Sequence, residues 1–316
     1  MDRRALLRTV GAAGAMMLGG GAGAFSQAAR EEPDPEAVGD GKLDVLYSGQ
    51  DGRIIVTDST SYLDKRVNEN DVIVASSFAG ATIVGGALAK SVKALIVHDA
   101  GVGKDNAAIN GLPYGDRYGV PIAAVDCKTA TLSNGNSALG GTISHANETA
   151  AKLGVRAGQS ARQAAQLLLK AQPGKPVPLA LDLDNRLYEM ETTPKGRILA
   201  IWALFYLPKD ATYPNDVFSV ATHSARVAAE HAFRWNVKGW IANDAGPGKN
   251  NSGISGLAMC GEKGMPAAAV AAMSARIGDG LSTYREGIIS AVNEPARAKG
   301  IIVGMAAKDA LSRMIA

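Results

Sequence analysis

His98-Asp99-Ala100-Gly101-Val102-Gly103-Lys104-Asp105-Asn106-Ala107-Ala108-Ile109-Asn110-Gly111-Leu112 returns 145 residues later. The second stretch reads Asn243-Asp244-Ala245-Gly246-Pro247-Gly248-Lys249-Asn250-Asn251-Ser252-Gly253-Ile254-Ser255-Gly256-Leu257, with nine of fifteen positions identical. Self-similarity held at a fixed offset marks an internal duplication. The same offset pairs Asn70-Asp71-Val72 with Asn215-Asp216-Val217, Val92-Lys93 with Val237-Lys238, and Gly119-x-Pro121 with Gly264-x-Pro266. Upstream, Gly52-Arg53-Ile54 meets Gly196-Arg197-Ile198. Downstream, after a slip of one residue, Ile143-Ser144 and Asn147-Glu148 meet Ile289-Ser290 and Asn293-Glu294. The chain therefore divides into repeat 1 (43–169), a linker (170–183) rich in proline, and repeat 2 (184–316).

Within one copy the punctuation predicts alternating strands and helices. Gly52–Thr57, Asp71–Ala75, Lys93–Val97 and Val120–Val125 are short apolar or β-branched runs that suit strands. Ala79–Ser91 is small and apolar without strand alternation and is expected to be a buried helix. Asp105 or Asn106 is expected to cap a short helix, and a last helix is expected over about Ser144–Leu153, carrying His145; His231 is placed on a helix of the second copy. Strands separated by helices of this length predict an α/β fold, two tandem repeats related by approximate two-fold symmetry, each a mainly parallel sheet covered by helices. A swivelling β/β/α layer with hairpins before the parallel part is the alternative.

Outside the repeats, residues 1–28 read as an address. Arg3-Arg4-Ala5-Leu6-Leu7 precedes a charge-free, glycine-rich stretch from Thr9 to Phe25, with small residues for cleavage after Ala24 or Ala28. This is the plan of a twin-arginine export signal. It predicts the twin-arginine machinery as a partner, a periplasmic or secreted location and no stable membrane span after cleavage. Residues 29–42, acidic with two prolines, read as a tether.

Composition then narrows the function classes. With 47% hydrophobic and 20% charged residues the chain can fill a core. Its 37 glycines and 5% aromatic content indicate packing by small residues. The formal charge of +3 belongs mostly to the signal, because a chain from Ala29 carries 30 basic against 29 acidic residues. Without a basic run or aromatic-interleaved strand, nucleic acid is not expected as a partner. In an oxidising compartment Cys127 and Cys260 are candidates for one disulfide, or for burial as small apolar residues.

Familiar catalytic devices are missing. Gly103-Lys104 and Gly248-Lys249 resemble a phosphate loop, but the glycine needed five residues earlier is His98 or Asn243, and no Ser or Thr follows either lysine. Asn106 and Asn251 stand where Gly-x-Gly-x-x-Gly needs its last glycine. His-Glu-x-x-His, Gly-x-Ser-x-Gly and Cys-x-x-Cys do not occur.

What remains is a set of polar clusters at predicted strand ends, where open parallel sheets hold ligands. The first copy offers Ser76, Ser77, His98, Asp99, Lys104 and Asn106; the second offers His223, Arg226, Asp244, Lys249, Asn251, Arg276 and Asp279. Features shared by both copies serve the common fold, whereas polar differences point to specialisation. His223 replaces Phe78, Arg226 replaces Ala81, Arg276 replaces Thr131 and Asp279 replaces Asn134. His223, Asp244, Asp279, His98 and Asp99 are the candidate acid–base residues. Ser76, Ser77, Lys104, Asn106, Arg226, Lys249, Asn251 and Arg276 are the candidate binding residues, the arginines as carboxylate clamps. No ligand spacing calls for a metal, and no cofactor is specified. The expected function is an exported hydrolase or lyase acting on a small polar, carboxylate-bearing metabolite between the repeats. The alternatives are a periplasmic small-ligand-binding protein without catalysis and a homo-oligomeric structural or assembly protein.

Overall fold

The computed structural model describes residues 43–177 and 186–316, so residues 1–28 read as an export signal, the tether up to residue 42 and residues 178–183 of the linker lie outside the described residues. Those described belong to one compact unit, Glu31–Ala316. Among them no helix is long and apolar enough to cross a membrane.

The duplication predicted from the sequence is present as two six-stranded sheets. Repeat 1 contains β1 (Asp44–Gly49), β2 (Gly52–Thr57), β3 (Asp71–Phe78), β4 (Ala94–His98), β5 (Ile122–Val125) and β6 (Ile143–Ala146), arranged in sequence order. Its helices are α1 (Ala81–Leu88), α2 (Leu112–Arg117), α3 (Gly135–Gly140), α4 (Glu148–Lys152) and α5 (Ala161–Leu168). Repeat 2 copies this with β7 (Tyr188–Thr193), β8 (Gly196–Ile201), β9 (Val217–His223), β10 (Gly239–Asn243), β11 (Ala267–Val270) and β12 (Ile289–Val292). Its helices are α6 (Arg226–Arg234), α7 (Ser255–Glu262), α8 (Gly280–Glu286), α9 (Glu294–Ala298) and α10 (Ala307–Ile315). In each sheet the four central strands run parallel and the two edge strands antiparallel. Val72–Ala75, Ala94–Val97 and Ile122–Val125 are fully buried, as expected of strands covered on both faces.

Several shared sequence signatures are explained by this scaffold. Arg53 forks onto Asp71 at 2.7 and 2.6 Å, and Arg197 onto Asp216 at 3.3 and 2.6 Å, tying β2 to β3 and β8 to β9. Asn147 and Asn293 cap α4 and α9 while also accepting from Ile122 and Ala267 at the start of the neighbouring strands. That cap corrects the helix expected over Ser144–Leu153. Residues Ile143–Ala146 form an antiparallel edge strand, so His145 is on a strand, and the helix begins only at Glu148. Asp105 and Asn106 are not caps either; both are left-handed (φ 55° and 56°) within a short 3-10 turn, as are Asn250 and Asn251.

The two-fold relation is visible in reciprocal contacts. The Lys104 N–H donates to Ala272 O at 2.9 Å and the Lys249 N–H to Cys127 O at 2.7 Å, and these are equivalent pairs. Gly101 and Gly246 meet between the two repeats. Both have φ +72°, and a methyl placed on Gly101 would lie 2.9 Å from the Gly246 Cα, or 3.0 Å in the opposite sense. Only glycine combines that dihedral with so close an approach. Cys127 and Cys260 are both free and buried.

Candidate functional site

The strand-end residues that look alike in sequence do the same work in both copies. Asp99 Oδ1 accepts from the N–H groups of Gly101 (3.0 Å) and Cys127 (2.9 Å); Asp244 Oδ1 accepts from Gly246 and Ala272, both at 2.9 Å. Each carboxylate thus staples its turn to the next strand end. His98 is the counterpart of Asn243, and its imidazole reproduces the amide. His98 Nδ1 accepts the Ala100 N–H at 3.0 Å, so its hydrogen is on Nε2, 3.0 Å from Ala130 O. Asn243 accepts from Ala245 and donates to Ala275 O, the equivalent atoms. His98 is fully buried, and burial pushes its pKa down.

The charged differences between copies lie in ion-pair networks that cross from one repeat to the other. Arg226 reaches Asp58 at 2.7 Å, Glu230 at 2.5 Å and Ser133 O at 2.8 Å, with its side chain 10% exposed. Arg276 reaches Asp105 (3.1 Å), Glu286 (3.2 Å) and Asp279 (3.5 Å), and Lys104 reaches Glu286 at 2.8 Å. Hydrogen bonds from Lys104 and then Ser282 hold the Glu286 carboxyl down to about 2. Asp279 caps α8 through Ser282, as Asn134 caps α3 through Ser137. Ser76 is buried and donates to Thr131 O at 2.8 Å. Lys249 is half-buried, and Asn106 and Asn251 are exposed.

Of the predicted residues, His223 and Ser77 are brought together at a cavity of about 360 Å³ between the repeats, at the carboxyl ends of β3 and β9. The copies contribute unlike walls. Repeat 1 supplies the hydroxyls of Ser59, Thr60, Ser61, Ser77 and Thr82 beside the apolar Leu63, Phe78, Ile83 and Ala89; repeat 2 supplies Trp202, Phe205, Tyr206, Val227 and Ala228, with Thr222, His223 and His231. Trp202 packs against Phe78, Phe205 and Tyr206 at 6.4, 5.8 and 5.4 Å between ring centres. Among the described residues, Lys90, exposed, is the one charged residue of the lining. Asp279 lines a second, adjoining cavity, while His98, Asp99, Asp244, Arg226 and Arg276 line neither. Sequence reasoning missed the aromatic wall and Ser59–Ser61. Pairing Tyr62-Leu63 with Tyr206-Leu207, at an offset of 144, would have exposed the contrast of Ser61 with Phe205.

His223 is oriented rather than poised to take a proton. Its Nδ1 accepts the Ala225 N–H at 3.2 Å, which leaves the ring hydrogen on Nε2 as a donor for a ligand. Burial drives the pKa values of His223 and His231 from 6.5 down to about 3 and about 4. Both are neutral in the fold and protonate on unfolding, so their contribution to stability is complete above pH 6.5 and is lost as pH falls toward 3. Urea midpoints measured between pH 7.5 and 4 are expected to fall, and a His223→Gln/His231→Gln variant to fall less steeply. An identical slope in the variant would contradict this assignment.

Asp99, Asp126 and Cys127 place their ligand atoms within 4.8 Å of one another, the one such three-residue group among the described residues. Burial, with the neighbouring Asp99 and Asp126, pushes the Cys127 thiol up to about 12, so it keeps its proton at neutral pH. No family model, curated protein or solved structure matches this chain.

Proposed function

We propose that the chain is an exported small-molecule-binding protein whose ligand lies in the cavity between the repeats. The observation that carries this reading is one cavity between the copies whose lining combines five Ser and Thr side chains of repeat 1 with apolar residues of both copies, among them Phe78, Trp202, Phe205 and Tyr206. A ligand with an apolar face and polar edges matches such a lining. Catalysis draws less support from the same cavity. Among the described residues no carboxylate lines it, and the neutral form of His223 has its lone pair directed at the Ala225 N–H.

Gly86 supplies the test. It lies in α1 on the cavity wall, and a Cβ there meets nothing within 4 Å. Gly86→Leu is expected to leave the melting temperature unchanged or higher, since glycine is a poor helix residue, while filling the cavity. In a thermal-shift screen of carboxylates, sugars and nucleosides, at least one class is expected to stabilise the native chain and not Gly86→Leu. Equal shifts in both proteins would remove the cavity from the proposal. Recovery of a chemically altered ligand would favour the hydrolase or lyase reading.

The address of the protein rests on Arg3-Arg4-Ala5-Leu6-Leu7, and we place the working protein in the periplasm or outside the cell on that basis. Arg3→Lys/Arg4→Lys is expected to leave the protein in the cytoplasmic fraction of the producing bacterium. Undiminished export of that variant would exclude the twin-arginine route.

A further inference from the structure

Each repeat carries, at the cavity between them, polar side chains that the other lacks. At the offset of 145, His223 stands where repeat 1 has Phe78 and His231 where it has Gly86; at the offset of 144, Ser59 and Ser61 stand where repeat 2 has Ala203 and Phe205. All eight of these residues line the cavity. His223 is 9% exposed, and because its Nδ1 accepts the Ala225 N–H, the ring hydrogen is on Nε2. Among the described residues nothing accepts from that Nε2–H. It is nonetheless within reach of a ligand. The described side-chain polar atoms that are both sealed from solvent and unpartnered are Thr131 Oγ1, Trp202 Nε1 and Ser224 Oγ, so His223 Nε2 keeps accessible surface in the cavity that its residue lines.

The hydroxyls of repeat 1 form a chain whose free end is also a donor. Ser77 Oγ accepts the Thr60 N–H at 3.0 Å and the Thr60 hydroxyl at 3.2 Å, so its own hydrogen is directed to Ser59 Oγ at 3.4 Å. Ser59 Oγ, which also accepts the Ser61 N–H at 3.2 Å, passes its hydrogen to Ser61 Oγ at 2.8 Å. Ser61 is exposed, and its hydroxyl hydrogen is left for an occupant of the cavity. Charge does not accompany these donors. Burial holds the pKa values of His223 and His231 at about 3 and about 4, and Lys90 is exposed. A carboxylate moved here from water would meet no buried countercharge, and an ammonium no carboxylate, so either would lose its hydration without compensation. We infer that the cavity takes an uncharged cyclic carbonyl compound, its ring against the aromatic residues and its oxygen accepting from His223 Nε2–H. This class departs from the carboxylate-bearing metabolite expected from the sequence, and it rests on the binding role proposed for the cavity.

Three probes with one bicyclic frame test this by calorimetry on the full chain: 1-indanone, indane and indane-1-carboxylate. The ketone is expected to bind about fivefold more tightly than indane, the gain from one neutral hydrogen bond, and at least about tenfold more tightly than the acid, whose charge would be desolvated. His223→Phe, which gives the position the side chain that repeat 1 has there, is expected to weaken the ketone about fivefold and to leave indane within about twofold. His223→Asn is expected to keep most of the preference for the ketone, since Asn243 and His98 show an amide and an imidazole filling one acceptor and donor role. Equal binding of ketone and indane, binding of the acid as tight as that of the ketone, or a preference that survives His223→Phe overturns the ligand class while leaving the cavity as a binding site. Binding by none of the three also overturns the class, and the cavity itself is then judged by the Gly86→Leu comparison.

Discussion

Arg226→Met is expected to destabilise the fold by about 3–5 kcal/mol, the cost of removing one partner from a buried ion pair. The guanidinium is 10% exposed and Asp58, its partner in the other repeat, 12%. Methionine keeps the apolar stem but takes the countercharge from Asp58 and Glu230 and the donor from Ser133 O. The desolvated Asp58 charge then lacks its cationic partner, and the contact that fails is one that joins the two repeats. A double variant, Asp58→Asn/Arg226→Met, is expected to recover part of the loss by removing the stranded charge, as replaced buried pairs often do. Urea unfolding of the three proteins measures this. A cost below about 1 kcal/mol for the single variant would mean that the pair behaves like a surface salt bridge.

Gly101→Ala is the second large effect, expected at about 2–4 kcal/mol. A non-glycine residue in the left-handed region costs about 1–2 kcal/mol, and the rest comes from the backbone moving away from the new methyl. At φ +72° that methyl would sit 2.9 Å from the Gly246 Cα, a backbone atom that no rotamer change can clear. For a chain of this size the melting temperature should fall by about 5–10 °C. Gly246→Ala meets the same obstacle from the other side, at 3.0 Å. The double variant should therefore cost less than the sum, because one separation of the turns relieves both clashes. Strict additivity would show that the turns yield independently.

The sequence was most legible where the two copies agree. Gly-Arg-Ile, Asn-Asp-Val and Asn-Glu recur because Arg53 with Asp71, Arg197 with Asp216, and the Asn147 and Asn293 caps are needed by each sheet separately. The strands and their parallel order followed from short apolar runs. The candidate site was less legible for three physical reasons. His98 was read as an acid–base group, yet an imidazole offers the same acceptor and donor pair as Asn243 and fills the same structural place. Arg226 looked free to clamp a substrate because Asp58 is 168 residues away in sequence. The aromatic wall lies where the offset changes from 145 to 144, so the difference between Ser61 and Phe205 is hidden from a fixed-offset comparison. The comparison of unlike positions singled out His223, which lines the cavity between the repeats.

The reciprocal meeting of Gly101 with Gly246, and of each lysine N–H with the opposite strand end, has the form of the contact in a symmetric dimer. In such a dimer every substitution appears twice, so a hydroxyl lining on one side of a shared cavity enforces the same lining on the other. Covalent fusion removes that constraint. Once both halves lie on one chain, Ser61 and Phe205 can change independently, and a pocket on the symmetry axis can tell the two ends of its occupant apart.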